Sequence, residues 1–266
     1  MTIYVIIRRE VELMLSDAWL IAASALLDDK GRPRSEAILF LDALRQYRKP
    51  FAVLTNQSVF SRDALCARYN DAGFHLKPSS FYTSVMAAID YAHSQKPDAK
   101  TAGYIGSHAM RDLLRSAGYA VDMNKADWVF AGTDRNAQYN DYCYALRLIM
   151  GGAQLIAADL APADHIDDTV LIGTGAVVRM LEEASGKKAI NAGFPSEIFV
   201  SRALKYLGTD AEDTVFIGTD PAGEIAAASK AGVRTAWITG LNEDADVFES
   251  EVRPTYLFES FTGLLR

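Results

Sequence analysis

Only two cysteines, Cys66 and Cys143, occur in 266 residues. That excludes a disulfide-stapled secreted scaffold and suits two reduced, packed thiols in a cytoplasmic protein. No apolar run approaches the roughly 20 residues that span a bilayer, so no membrane partner is expected. "ASA" at Ala23–Ala25 mimics a signal-peptidase site, but Glu10, Glu12 and Asp17 interrupt what would be its leader. No signal peptide is expected. No Lys/Arg cluster stands out, and the formal net charge is −7. A nucleic acid or an anionic surface needs a basic patch, so neither is an expected partner. The four histidines, His75, His93, His108 and His165, share no metal-ligand spacing. The "HIDD" stretch at His165–Asp168 reads as a polar loop. There is no internal repeat and no low-complexity segment.

What is present is a chain that is 50% hydrophobic and 23% charged, enough for one large core or two smaller ones. Strand-like and helix-like segments alternate. Trp19–Ala23 and "FAVLT" (Phe51–Thr55) read as strands. Glu36–Tyr47 carries Ala37, Ile38, Phe40, Leu41 and Leu44 at helical spacing, and Ser61–Ala72 is a helix closed by Gly73. After residue 188 the rhythm returns: helix Ser196–Leu207, strand Thr214–Thr219, helix Ala222–Ala231, strand Arg234–Gly240 and a last strand "TYLF". Such alternation predicts an α/β fold, a parallel sheet with helices on both faces. The middle has its own strands ("AGYIG", "DWVFAG", "QLIAA") and its own helices at Ala109–Ala117, Tyr139–Met150 and Ala176–Ala184. It is expected to be an inserted α/β unit. The boundaries drawn are a core of 1–96 and 189–266, with an insertion of 97–188.

In open α/β sheets, ligands bind beyond the carboxyl ends of the strands. The informative residues are therefore Ala22–Ala25 after the first strand, "TNQS" at Thr55–Ser58 after the second, "NAGFPS" at Asn191–Ser196, and "GTDPAGE" at Gly218–Glu224. In this order and at this spacing they resemble the haloacid dehalogenase superfamily, specifically its class IIA branch of NagD-like and p-nitrophenyl-phosphatase-like proteins. "AILFLDALRQ", "YTS" at Tyr82–Ser84, "GTDRNAQY" and "GTGAVVRMLEEASG" extend the resemblance over nearly the whole chain. It implies a Rossmann-like core with a mobile cap as the middle unit, and pairing of two copies through that cap.

The resemblance also shows what is missing. In the family, the first strand ends in D-x-D-G. Its first Asp attacks phosphorus, and its second handles the leaving group's proton. Here those positions hold Ala22 and Ser24, with Ala25 for the Gly. The family's Lys position holds Phe194, and the metal-binding Asp position holds Thr219. Thr55 and Asn56 keep the remaining motif. Mg²⁺ favours carboxylate oxygens, and Ala22, Ser24 and Thr219 supply none. The expectation is therefore a binding protein that has lost Mg-dependent phosphoryl transfer, a pseudophosphatase for an anionic or phosphorylated metabolite or a protein partner, with no catalytic residue, metal or cofactor. The alternative is an active hydrolase with a non-standard site around Asp220 and Glu224, the weak metal candidates, holding Mg²⁺. A structural subunit is a third possibility.

Individual residues leave choices open. Asp220 either binds a displaced cation or caps the helix that begins near Pro221, and the cap is favoured. Glu224 reads as a helix residue near the site. Thr55, Asn56 and Gln57 offer donors to an anion, or form an ordinary polar turn. Asp134 and Arg135 lie in what resembles the family's substrate-facing loop, or in a surface loop. Asp17 starts the first strand at the opposite edge, and Asp28 and Asp29 read as a solvated turn pair. The ligand-binding candidates are thus Ser24, Thr55, Asn56, Gln57, Thr219, Asp220, Asp134 and Arg135.

Overall fold

The computed structural model describes residues 16–28, 30–122, 124–166, 169–240 and 253–265. Glu10, Glu12, Asp29, Asp167 and Asp168 lie outside them. Thirteen strands occur among the described residues: β1 Ala18–Ala22, β2 Phe51–Thr55, β3 Phe81–Thr83, β4 Thr101–Ile105, β5 Ala120–Val121, β6 Trp128–Ala131, β7 Gln154–Ala157, β8 Ala163–Ile166, β9 Thr169–Ile172, β10 Ile190–Asn191, β11 Thr214–Gly218, β12 Arg234–Ile238 and β13 Tyr256–Phe258. They form a six-stranded sheet ordered β13-β12-β11-β1-β2-β3, a five-stranded sheet ordered β10-β7-β6-β4-β5, and the two-stranded β8-β9.

The chain folds as two compact units. The first comprises the residues up to Thr55, Cys66–Tyr82, and those from Ala203 onward. Its central strand β1, "AWLIA", is buried at every position and pairs in parallel with β2 and β11 at its two edges. A strand covered on both faces reads as a continuous apolar run, not an alternation. β11 and β12 extend the parallel pairing to β13. The helix Ser35–Gln46 turns Ala37, Phe40, Leu41 and Leu44 inward, the spacing of one apolar stripe.

The second unit comprises Asn56–Leu65 and Thr83–Arg202. Its sheet is parallel through β10, β7, β6, β4 and β5. Val129, Leu148, Ile149, Leu155, Val178 and Leu181 belong to its core, drawn from strands β6 and β7 and from the helices Tyr139–Met150 and Thr174–Ser185. β8 and β9 pair antiparallel, a hairpin that the reading of this region as strand–helix alternation does not contain. Chain alternation thus yields parallel sheets covered by helices on both sides, as expected for the α/β class.

Two local elements differ from expectation. Ala23 leaves the strand and opens a one-turn helix, Ala23–Leu26. The expected helix Ala222–Ala231 begins as a π turn, Pro221–Ile225, and becomes α-helical only at Ala226–Lys230. The N–H groups of Glu224 and Ile225 both donate to the Asp220 carbonyl, at 3.1 and 3.0 Å. This wider i→i+5 closure lets Glu224 fold back beneath its own turn.

Candidate active site

At the carboxyl edge of the first unit's sheet, four residues meet. Ser24 stands in the first turn after β1 and is exposed. Thr219 and Asp220 follow β11, β1's neighbour, and Glu224 lies in the π turn. The Ser24 hydroxyl donates to Glu224 Oε1 at 2.6 Å. The backbone N–H groups of Thr219 and Asp220 both donate to Glu224 Oε2, at 2.9 and 3.2 Å. Thr219 Oγ1 lies 3.2 Å from Ser24 Oγ, to which it donates, and 3.5 Å from Glu224 Oε2. Glu224 is 9% exposed. Burial pushes its carboxyl above the usual range; the hydrogen bonds from Ser24, Thr219 and Asp220 pull it down, and the Asp220 charge again pushes it up.

Glycine permits this close packing. A Cβ on Gly218 would stand 2.9 Å from Glu224 Oε2, and one on Gly223 would collide with the Asp220 carboxylate. Asp220 itself caps the turn, with Oδ1 accepting the Ala222 N–H at 3.0 Å, and Pro221 occupies the first position, where no donor is needed. Ala22 closes β1, fully buried, with Leu54 of β2 beside it. Thr55 ends β2, half-buried. Asp28 takes N–H bonds from Lys30 and Arg32 and pairs with the Arg32 guanidinium at 2.7 Å, a turn residue as expected.

Asn56, Gln57, Phe194, Asp134 and Arg135 belong to the second unit. Asn56 Oδ1 accepts the Phe194 N–H at 2.9 Å, while its Nδ2 donates to Asp159 Oδ1 at 3.1 Å and to the Phe194 carbonyl at 3.4 Å. Its amide is a clamp on the loop containing the cis Phe194–Pro195 bond. Gln57 Oε1 accepts the N–H groups of Val59 and Phe60, which gives it the role of a turn residue. The Phe194 ring packs edge-on against Phe199, with centroids 4.8 Å apart. Asp134 Oδ1 accepts the Asn136 N–H. Asp134 and Arg135 line a cavity of about 590 Å³ together with Thr133, Tyr142, Ile172 and Met180.

Sequence reasoning missed Asp159. It follows β7, and burial raises its pKa against the hydrogen bonds from Ala161 and Asn56. Nothing in the local sequence signals its partner, 103 positions away. Replacing Asn56 with Ala removes one hydrogen bond from this carboxyl and the bond to the Phe194 N–H. The expected cost is about 1–3 kcal/mol, read as a lower urea midpoint; an unchanged midpoint would show that the clamp contributes nothing.

The family's cation is Mg²⁺, and the residues present do not fit it. Both Glu224 oxygens are engaged by Ser24, Thr219 and Asp220. Asp220 is engaged as a cap, and Ala22 has no oxygen to offer. Among the described residues no group of three His, Cys, Asp or Glu side chains could hold a metal ion. A hard octahedral cation needs more than this. The Mg²⁺ of the alternative reading is therefore set aside on the chemistry of the donors.

Two family models match, haloacid dehalogenase-like hydrolase over residues 25–120 and a second haloacid-dehalogenase-like hydrolase model over residues 191–264. A dihydroxyacetone phosphatase of Corynebacterium glutamicum is 27% identical over 248 residues, 93% of this chain and 90% of that protein. The ribonucleotide monophosphatase NagD of Escherichia coli K12 is 28% identical over 222 residues, 83% of this chain and 87% of that protein. The solved structure of NagD from that strain superimposes with a TM-score of 0.85 at 25% identity, covering 93% of this chain and 98% of that one.

These findings correct the functional expectation. Relatives matched over most of the chain are named phosphatases, and nothing among them points to lost activity, so the binding-only pseudophosphatase is not retained. The physical reason is that counting absent side chains position by position cannot reveal a hydroxyl and a carboxylate, 200 residues apart, brought to 2.6 Å. The likeness in fold reaches both sheets, and the two family models bracket the second one: the chain belongs to the haloacid dehalogenase-like hydrolases, in their NagD-like branch.

Proposed function

We propose that this chain is a hydrolase of small phosphate monoesters, acting at a non-standard site around Asp220 and Glu224. One observation carries the proposal. Glu224 is a buried carboxyl held by two backbone N–H groups at the ligand-binding edge of the sheet, with Oε1 turned to an exposed hydroxyl. Carboxyl groups perturbed by burial and placed at such an edge commonly carry proton transfer. The relatives' names supply the substrate class: dihydroxyacetone phosphate, a ribonucleoside monophosphate or a sugar phosphate. Asp134 and Arg135 are the proposed discriminating residues, because they line the second unit's cavity.

The test is release of inorganic phosphate from these three classes and from p-nitrophenyl phosphate, with Mg²⁺ and with a chelator. Turnover that survives repurification is expected; a silent protein across the whole panel overturns the proposal. A cytoplasmic location belongs to the same proposal. Cys66 and Cys143 are both free thiols, which suits a reducing compartment, and no described helix is long and apolar enough to cross a membrane. Recovery of the native protein from an oxidising compartment would remove this part.

A further inference from the structure

We propose that Ser24 Oγ is the nucleophile and Glu224 the general base of a phosphoryl transfer that proceeds without a metal ion. This deepens the hydrolase reading and rests on it. The geometry is that of an activated nucleophile, a hydroxyl within hydrogen-bond reach of a base that other groups hold in place. Ser24 Oγ lies 2.6 Å from Glu224 Oε1, and the N–H groups of Thr219 and Asp220 fix the other carboxyl oxygen. The base is buried and the nucleophile exposed, so the hydroxyl alone meets the substrate. Thr219 is a positioning residue. Its hydroxyl donates to Ser24 Oγ, which turns the serine's own proton toward Glu224.

The step balances without another reactant. The Glu224 carboxylate takes the Ser24 proton as Oγ forms a bond to phosphorus. The bond from phosphorus to the ester oxygen breaks, and the leaving oxygen, on the face opposite Oγ, takes a proton from solvent. A solvent water then attacks the phosphoserine on the open face and gives up a proton to solvent. The phosphorus–Oγ bond breaks, Ser24 Oγ takes its proton back from Glu224, and inorganic phosphate leaves. No oxidant, reductant or cation enters. An alanine at position 22 is compatible with this route, because the attacking atom comes from two residues later.

Two probes test it on the full chain, p-nitrophenyl phosphate and a fluorophosphonate that phosphonylates activated serines. Wild-type turnover should persist in a chelator, and acid-quenched protein should carry phosphate on the peptide containing Ser24. Ser24→Ala should lower kcat/KM by roughly 10⁴–10⁶. Glu224→Gln can keep the Thr219 and Asp220 hydrogen bonds through its amide oxygen, so it should fold; it should lower kcat/KM by about 10²–10⁴. The fluorophosphonate should label Ser24 in the wild type and much less in Glu224→Gln. If both variants turn over at the wild-type rate, the nucleophile assignment falls and the hydrolase reading stands. If the wild type is silent on every phosphate ester, the hydrolase reading falls. Ser24 left unlabelled by the fluorophosphonate overturns the assignment in either case.

Discussion

Trp237→Ala should lower the free energy of unfolding by about 3–5 kcal/mol, the range for truncating a large buried aromatic. Trp237 is fully buried in β12, paired in register with Gly218 of β11. Its indole N–H donates to the Thr219 carbonyl at 3.2 Å. One side chain therefore both fills the core and anchors the residue whose own N–H holds Glu224. Trp237→Phe separates the two roles. It keeps most of the volume and loses the N–H, so it should cost only about 1 kcal/mol. Urea unfolding with an unchanged slope decides the matter. Equal costs for the two variants would mean that the hydrogen bond, not the packed ring, dominates.

The second large effect concerns the cation. The wild-type melting temperature should be the same in Mg²⁺ and in a chelator. The triple variant Ala22→Asp, Ser24→Asp, Thr219→Asp should differ sharply. Three carboxylates are added beside Glu224 and Asp220, where like charges oppose one another. In chelator the variant should melt below the wild type. With Mg²⁺ at about 100 times its dissociation constant, binding to the folded state should restore about 2.7 kcal/mol. A wild-type protein stabilised by Mg²⁺ to the same extent would show that the present donors do hold the ion.

Much of the fold is legible in the sequence where one physical cause acts alone. β1, β2 and β11 are buried strands with continuous apolar runs. The helix at Ser35–Gln46 carries an apolar stripe of Ala37, Phe40, Leu41 and Leu44. The helix Ser84–Gln95 is not among the expected elements, although Val85, Ala88, Ile89 and Ala92 mark one buried face at helical spacing. β3 and β10 are too short to show a period, and the β8-β9 hairpin lacks a tight two-residue turn signal such as Asn-Gly. At the site, the Asp220 cap could be read from Asp-Pro alone. The Ser24–Glu224 and Asn56–Asp159 pairs could not. Each joins residues more than a hundred positions apart, and only the register of the sheets brings such residues together.

The order of the strands has a consequence for how the protein is made. β1 lies between β2, which follows it closely, and β11, whose Thr214 pairs with Ala18. At about 5–20 residues per second, a ribosome delivers β11 roughly 10–40 s after β1. Throughout that interval one edge of a wholly apolar strand has no partner, the condition in which nascent chains stick to one another. The second unit is synthesised within the same interval and can fold while the first waits. Glu224 emerges later still, so a chain cut short anywhere before it has Ser24 but no base beside it. The chemistry proposed here is switched on only once Glu224 has been made.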